Sequence, residues 1–133
     1  MTLLDERGLP HGAVLRPHLE IAPREFDARR RRGDAIRLVD CRTDAERELA
    51  TIDGAEHVPM DRVAEWIEDL QEGGQEDLQE GGEPLPIVVH CHHGVRSLQV
   101  VALLQAAGFR DARSMAGGIH LWSLAVDPGV ATY

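Results

Sequence analysis

The chain has 133 residues, 43% of them hydrophobic and 28% charged, proportions that fit one soluble domain with a core and exclude a disordered or fibrous chain. A net charge of −9 argues against nucleic acid or an anionic membrane as the main partner. No apolar run approaches the ~20 residues that cross a bilayer, residues 1–15 lack the basic-then-apolar order of a secretion signal, and two cysteines are too few for a disulfide framework, so a reducing, cytoplasmic setting is expected.

Residues 1–17 are read as an N-terminal extension and 18–133 as the domain. Leu19-Glu20-Ile21 is a short apolar stretch, and Pro23 then stands at a first helical position, where a missing N–H has no intrahelical partner to lose. That helical pattern ends at Gly33. Arg29 to Arg32 fall in its last turn, where cations complement the helix dipole, and are read as a solvated face rather than a nucleic-acid patch. Residues 35–39 read as a strand, and Thr43-Asp44-Ala45-Glu46 fits a capping box that marks a helix start. Between them Asp40 reads either as a carboxylate that orients Arg42 or as a turn residue, and Cys41 as a buried small hydrophobe.

Val63, Trp66, Ile67 and Leu70 then recur at i, i+3, i+4 and i+7, which makes one helical face apolar and places Trp66 in the core. Asp69-Leu70-Gln71-Glu72-Gly73-Gly74 is repeated as Asp77-Leu78-Gln79-Glu80-Gly81-Gly82. Paired glycines and acidic residues over this length build no core, so the repeat is read as an exposed loop. Residues 86–90 form an apolar strand, and from Ser97 a helix is marked by the stripe Val100, Leu103, Leu104, Ala107 with Gly108 as its stop. Residues 112–115 read as a short edge-like strand, Gly117-Gly118 as a turn, and Ile119, Trp122 and Val126 as the closing core face. Alternating strands and helices predict an α/β fold with a mostly parallel sheet.

Cys91-His92-His93-Gly94-Val95-Arg96-Ser97 joins the strand at 86–90 to the next helix. A cysteine there lies among N–H groups without intrahelical partners, at the positive end of a helix dipole, and both favour a thiolate. Arg96 adds a permanent charge and a fork of donors suited to the thiolate or to an anionic substrate. His90, Cys91, His92 and His93 are four potential ligands in a row for Zn²⁺ or Cu⁺. Neighbours on one tight loop rarely converge on a tetrahedral centre without ligands from elsewhere, so no metal is expected. His92 and His93 are read as tuning the pocket, and His90 as structural.

Only four residues separate Cys91 from Arg96, whereas cysteine-dependent phosphatases place five there to close a ring wide enough for phosphate. The shorter loop followed by Ser97 resembles the active-site loop of the rhodanese family. Leu38-Val39-Asp40-Cys41-Arg42-Thr43-Asp44-Ala45-Glu46 resembles the family's strand and Asp-x-Arg turn, and Asp53-Gly54-Ala55-Glu56-His57-Val58-Pro59 its next strand. Ala106-Ala107-Gly108-Phe109, Ala116-Gly117-Gly118-Ile119 and Trp122 follow in the family's order, so the resemblance covers roughly residues 18–126. Ala50-Thr51-Ile52 departs from the Gly-His-Ile the family commonly carries, which bears on the local turn.

The resemblance implies a three-layer α/β fold with a central, mostly parallel, five-stranded sheet flanked by helices. It implies a sulfurtransferase whose Cys91 carries a sulfane sulfur as a persulfide. Residues His92, His93, Gly94, Val95, Arg96 and Ser97 would then hold the substrate, and Asp40 and Arg42 would support the rim. No cofactor is implied. Partners would be a small sulfur donor such as thiosulfate and an acceptor, including a sulfur-carrier protein, since the tail from Val126-Asp127-Pro128 to Tyr133 is similar to rhodanese-like domains attached to enzymes that activate such carriers. A non-catalytic binding module and a cysteine-dependent phosphatase or arsenate reductase are the competing classes.

Overall fold

The computed structural model describes residues 3–73 and 82–133. Five strands, β1 (Glu20–Ile21), β2 (Arg37–Asp40), β3 (Glu56–His57), β4 (Ile87–His90) and β5 (Ala112–Met115), form one sheet in the order β1-β5-β4-β2-β3. Every pairing is parallel. Helices α1 (Pro23–Arg31), α2 (Asp44–Leu49), α3 (Val63–Glu72), α4 (Val95–Ala106) and α5 (Gly118–Ala125) make the connections, with a 3-10 turn at Met60–Arg62. This is the α/β architecture expected from the alternating pattern.

Parallel strands buried on both faces read as continuous apolar runs rather than alternating ones, and all four residues of β4 are buried. The period-2 geometry of a strand then divides them between two cores. Val39 and Val89 pack with Val63, Ile67, Val100, Val101 and Leu104 on the side of α3 and α4. Leu38 and Val88 pack with Phe26, Met115, Ile119 and Trp122 on the side of α1 and α5. Phe26 is fully enclosed, and burial of such a ring contributes about 1.5–3 kcal/mol.

Four local readings change. Residues 112–115 are not an edge: β5 lies between β4 and β1, and the sheet ends on the two-residue strands β1 and β3. Helix α4 starts at Val95 rather than Ser97, and its buried stripe is Ser97, Val100, Val101 and Leu104, while Leu103 is 51% exposed. Ser97 thus lies inside the first turn, on the buried face beneath Cys91. Trp66 is only partly buried against the core, with the Arg37 guanidinium 5.8 Å from its ring. The first copy of the acidic repeat is not a loop throughout, because residues 69–72 complete α3; residues 74–81, which carry most of the second copy, lie outside the described residues. The segment before β1 packs on the domain, with Leu9 buried and Arg24 Nη1 donating to the Asp5 carbonyl at 2.7 Å.

Two contacts place the catalytic-type loop. Asp40 pairs with His90 in the β2–β4 register, and Cys41 N–H donates to the His90 carbonyl at 3.1 Å, so Cys41 and Cys91 leave the sheet side by side. On the opposite side the start of α5 closes onto the loop. Ile119 N–H donates to the Cys91 carbonyl at 2.9 Å and His120 N–H to the His92 carbonyl at 3.2 Å. A Cβ on Gly118 would lie 2.4 Å from both carbonyl oxygens, and φ is +62° there, so only glycine permits the approach.

Candidate active site

Cys91 is the first residue beyond β4 and is 1% exposed. Its sulfur accepts hydrogen bonds from the backbone N–H groups of Gly94 at 3.1 Å and Ser97 at 3.4 Å. These are donors of a helix start, which a thiolate satisfies and a neutral thiol satisfies poorly. Gly94 takes φ +102° at the helix N-cap, and a Cβ there would press to 3.3 Å from Gly117 N. The Ser97 hydroxyl lies 3.4 Å from the Cys91 sulfur and 2.7 Å from the Ser114 hydroxyl. With Cys91 ionised, Ser97 must donate to the sulfur, leaving Ser114 to donate to Ser97. Hydrogen bonding from Cys41 does most to pull the Cys91 thiol below its ordinary range; burial opposes it, and the Ser97 hydroxyl and the N–H groups of Ser97 and Gly94 add to the fall. The same contact, with burial, pushes Cys41 up, so the pair shares one negative charge, on Cys91.

An alkylation-rate titration should therefore give a midpoint below about 7.5, the upper end of the activated-thiol range. The rate should be nearly flat above that pH. A midpoint at or above the free-thiol value of about 8.5 would remove the argument for an activated cysteine.

Arg96 occupies the first turn of α4, and its guanidinium is held by a carboxylate of α2. Its Nη1 and Nη2 form a bidentate pair with Glu46 Oε1 at 2.6 Å and Oε2 at 2.8 Å. This pairing raises the Arg96 pKa and, with Tyr133 and Thr43 assisting against burial, depresses that of Glu46. Glu46 closes the capping box on Thr43 as expected, so one carboxylate both caps α2 and orients the loop arginine. Sequence reasoning assigned it only the first task; the second needs α2 and α4 side by side, which no local pattern records. An open depression of about 500 Å³, lined by Cys41, Thr43, Pro59, Met60 and Arg96 among others, leads to this pair.

Asp40 and Arg42 lie beneath the rim, 1% and 0% exposed. Arg42 Nε and Nη2 donate to Asp40 Oδ1 and Oδ2 at 2.9 and 2.7 Å, and Nη2 donates to the Ala50 carbonyl at 2.6 Å. The turn at Ala50, where the sequence departs from the family's pattern, thus still presents a carbonyl to Arg42. Arg42 Nη1 reaches the Tyr133 hydroxyl at 2.9 Å, and that hydroxyl donates to Glu46 Oε2 at 2.7 Å. The Tyr133 ring stacks on His92 at 4.0 Å. Tyr133 is thus a contributor to the site that sequence reasoning passed over as a tail residue. His90 is fully buried and desolvation holds it neutral, consistent with a structural place at the end of β4. Val95 is 68% exposed and His93 is exposed, so neither closes over the sulfur.

The rhodanese-like domain model matches residues 22–125. Thiosulfate sulfurtransferase GlpE of Pseudomonas aeruginosa is 32% identical over 104 residues, which cover 77% of this chain and 81% of GlpE. Adenylyltransferase and sulfurtransferase MOCS3-1 of Zea mays is 28% identical over 130 residues, 98% of this chain but 27% of that protein. The chain spans less than a third of the length of the first curated relatives it matches. Among solved structures, SSP1007 of Staphylococcus saprophyticus superposes with a TM-score of 0.64 at 25% identity, covering 85% of this chain and 98% of that one. The family match and the parallel five-stranded sheet converge, and the chain belongs to the rhodanese-like domain family.

Proposed function

We propose that the chain is a sulfurtransferase of the thiosulfate type, with Cys91 as the sulfur carrier. The observation that carries the reading is the Cys91 sulfur held by two N–H donors and a hydroxyl in a loop with four residues before Arg96. The Cys91 thiolate attacks the outer sulfur of thiosulfate. A new S–S bond forms, the S–S bond of the donor breaks, and sulfite leaves with the electron pair. The persulfide that remains is anionic at its terminal sulfur, and the remaining loop N–H groups and the Arg96 side chain are the preorganised positive ends that meet that charge. Cyanide, a thiol or an acceptor protein then attacks the terminal sulfur and returns Cys91 as thiolate. No cofactor takes part. Relatives named as sulfurtransferases support the class, and the coupling of that name to adenylyltransferase in MOCS3-1 supports a sulfur-carrier protein among the acceptors.

Intact-mass measurement after thiosulfate treatment tests the reading. The protein should become one sulfur atom heavier and lose that atom, as thiocyanate, on addition of cyanide. Hydrolysis of an aryl phosphate without sulfur loading would point instead to the phosphatase class, and neither activity to a binding module.

Arg96→Lys keeps a charge but loses the fork that fits both Glu46 and a bidentate anion. Transfer from thiosulfate should fall by about 10-fold or more, the loss of roughly 1.4 kcal/mol of oriented hydrogen bonding, while Cys91 stays alkylatable. Unchanged kinetics would mean that backbone donors alone hold the anion.

A further inference from the structure

We propose that His92, His93 and His120 form a binding site for a borderline divalent cation, Zn²⁺ above all, on the rim of the Cys91 loop. The three side chains each offer a ring nitrogen, and these nitrogens all lie within 4.8 Å of one another. His92 and His93 are neighbours on one loop, which alone would not make a centre; His120, on the first turn of α5, is the ligand from elsewhere. Its backbone is tied directly to the loop that carries the other two. The His120 N–H is bonded to the His92 carbonyl at 3.2 Å, and the approach depends on Gly118.

The surroundings of the rings match what a metal requires. A ligating histidine ordinarily gives its second nitrogen to a carbonyl or carboxylate, which fixes the ring and the tautomer. His92 Nε2 lies 2.9 Å from the backbone oxygen of Tyr133, and the Tyr133 ring stacks on the imidazole at 4.0 Å, so Nε2 carries the proton and the Nδ1 lone pair is left for a cation. His120 Nδ1 is a buried nitrogen without a hydrogen-bond partner, an arrangement that costs free energy unless something fills it. Zn–N bonds of about 2.0–2.1 Å set tetrahedral ligands ~3.4 Å apart. The rings need close by little more than an ångström, and exposed His93 can turn to do so. Three imidazoles leave a fourth position for water or an anion. Imidazole sets of this kind select Zn²⁺, Ni²⁺, Co²⁺ and Cu²⁺ over Mg²⁺ or Ca²⁺.

The competing site is the Cys91 thiolate itself, and the experiment separates the two. The full chain, its Cys91→Ser variant and its His120→Ala variant are titrated anaerobically with Zn²⁺ by calorimetry and with Co²⁺ by visible absorption. One equivalent should bind the parent and Cys91→Ser alike, with nitrogen–oxygen cobalt bands and no thiolate charge-transfer band. His120→Ala, folded by circular dichroism, should bind at least about 10-fold more weakly, as should His93→Ala. The proposal is overturned if Cys91→Ser loses the metal while His120→Ala keeps it, or if the parent takes up no cation at micromolar concentration. Because these readouts do not use sulfur transfer, they stand whatever the outcome of thiosulfate loading.

Discussion

Cys91→Ser should abolish sulfur loading and cyanide-dependent transfer, while Cys41→Ser should retain most of both. The two thiols lie side by side at the ends of β2 and β4, and the hydrogen bond between them pulls Cys91 down and pushes Cys41 up. Cys91 receives N–H bonds from Gly94 and Ser97. Cys41 is 1% exposed and stays protonated beside it. Serine at 41 still donates a hydrogen bond to the Cys91 sulfur, so the thiolate survives; Cys41→Val removes that donor and should raise the alkylation midpoint of Cys91 visibly. Intact mass after thiosulfate reads the first pair, and the alkylation titration reads the third variant. Comparable loss of activity in folded Cys41→Ser would move the second thiol into the mechanism.

Asp40→Ala should cost about 3–5 kcal/mol of stability, the range for removing one partner of a buried ion pair. Asp40 accepts three hydrogen bonds from Arg42: from the backbone N–H at 3.0 Å, Nε at 2.9 Å and Nη2 at 2.7 Å. Removing the carboxylate leaves a guanidinium that is 0% exposed without its counter-charge. A urea midpoint lowered at unchanged slope would record the loss. Burial opposes ionisation of Asp40, but the hydrogen bonds and charge of Arg42 help hold the pKa below the ordinary value. Asp40 therefore stabilises the fold fully above the unfolded value of about 3.9, and that contribution fades only as pH falls below it through the folded value. An equal midpoint for parent and variant at neutral pH would show that the pair adds nothing.

Sequence pattern carried most of this architecture because its signals are local. The capping box at Thr43, the Pro23 helix start, the apolar run at 87–90 and the Cys91 loop each announce themselves within a few residues. What escaped depends on pairs far apart in the chain. Residues 112–115 are short and carry an arginine and a serine, so they read as an edge, yet β5 is flanked on both sides because β1 adds beyond it. Glu46 with Arg96, Tyr133 with His92 and Arg42, and His120 with the loop are likewise tertiary meetings. Each residue's type is readable from the chain, but its partner is chosen by the sheet order.

The position of β4 in that order has a kinetic consequence. It is the central strand of five, bonded along its length to β2 and β5, while both borders of the sheet are two-residue strands. Borders fray at low free-energy cost, whereas a central strand releases its amides only when the whole domain opens. Amide protons of residues 88–90 should thus be among the slowest to exchange with deuterium, and those of residues 20, 21, 56 and 57 among the fastest in the sheet. The nucleophile hangs from the segment that melts last, so heat inactivation should coincide with global unfolding instead of preceding it.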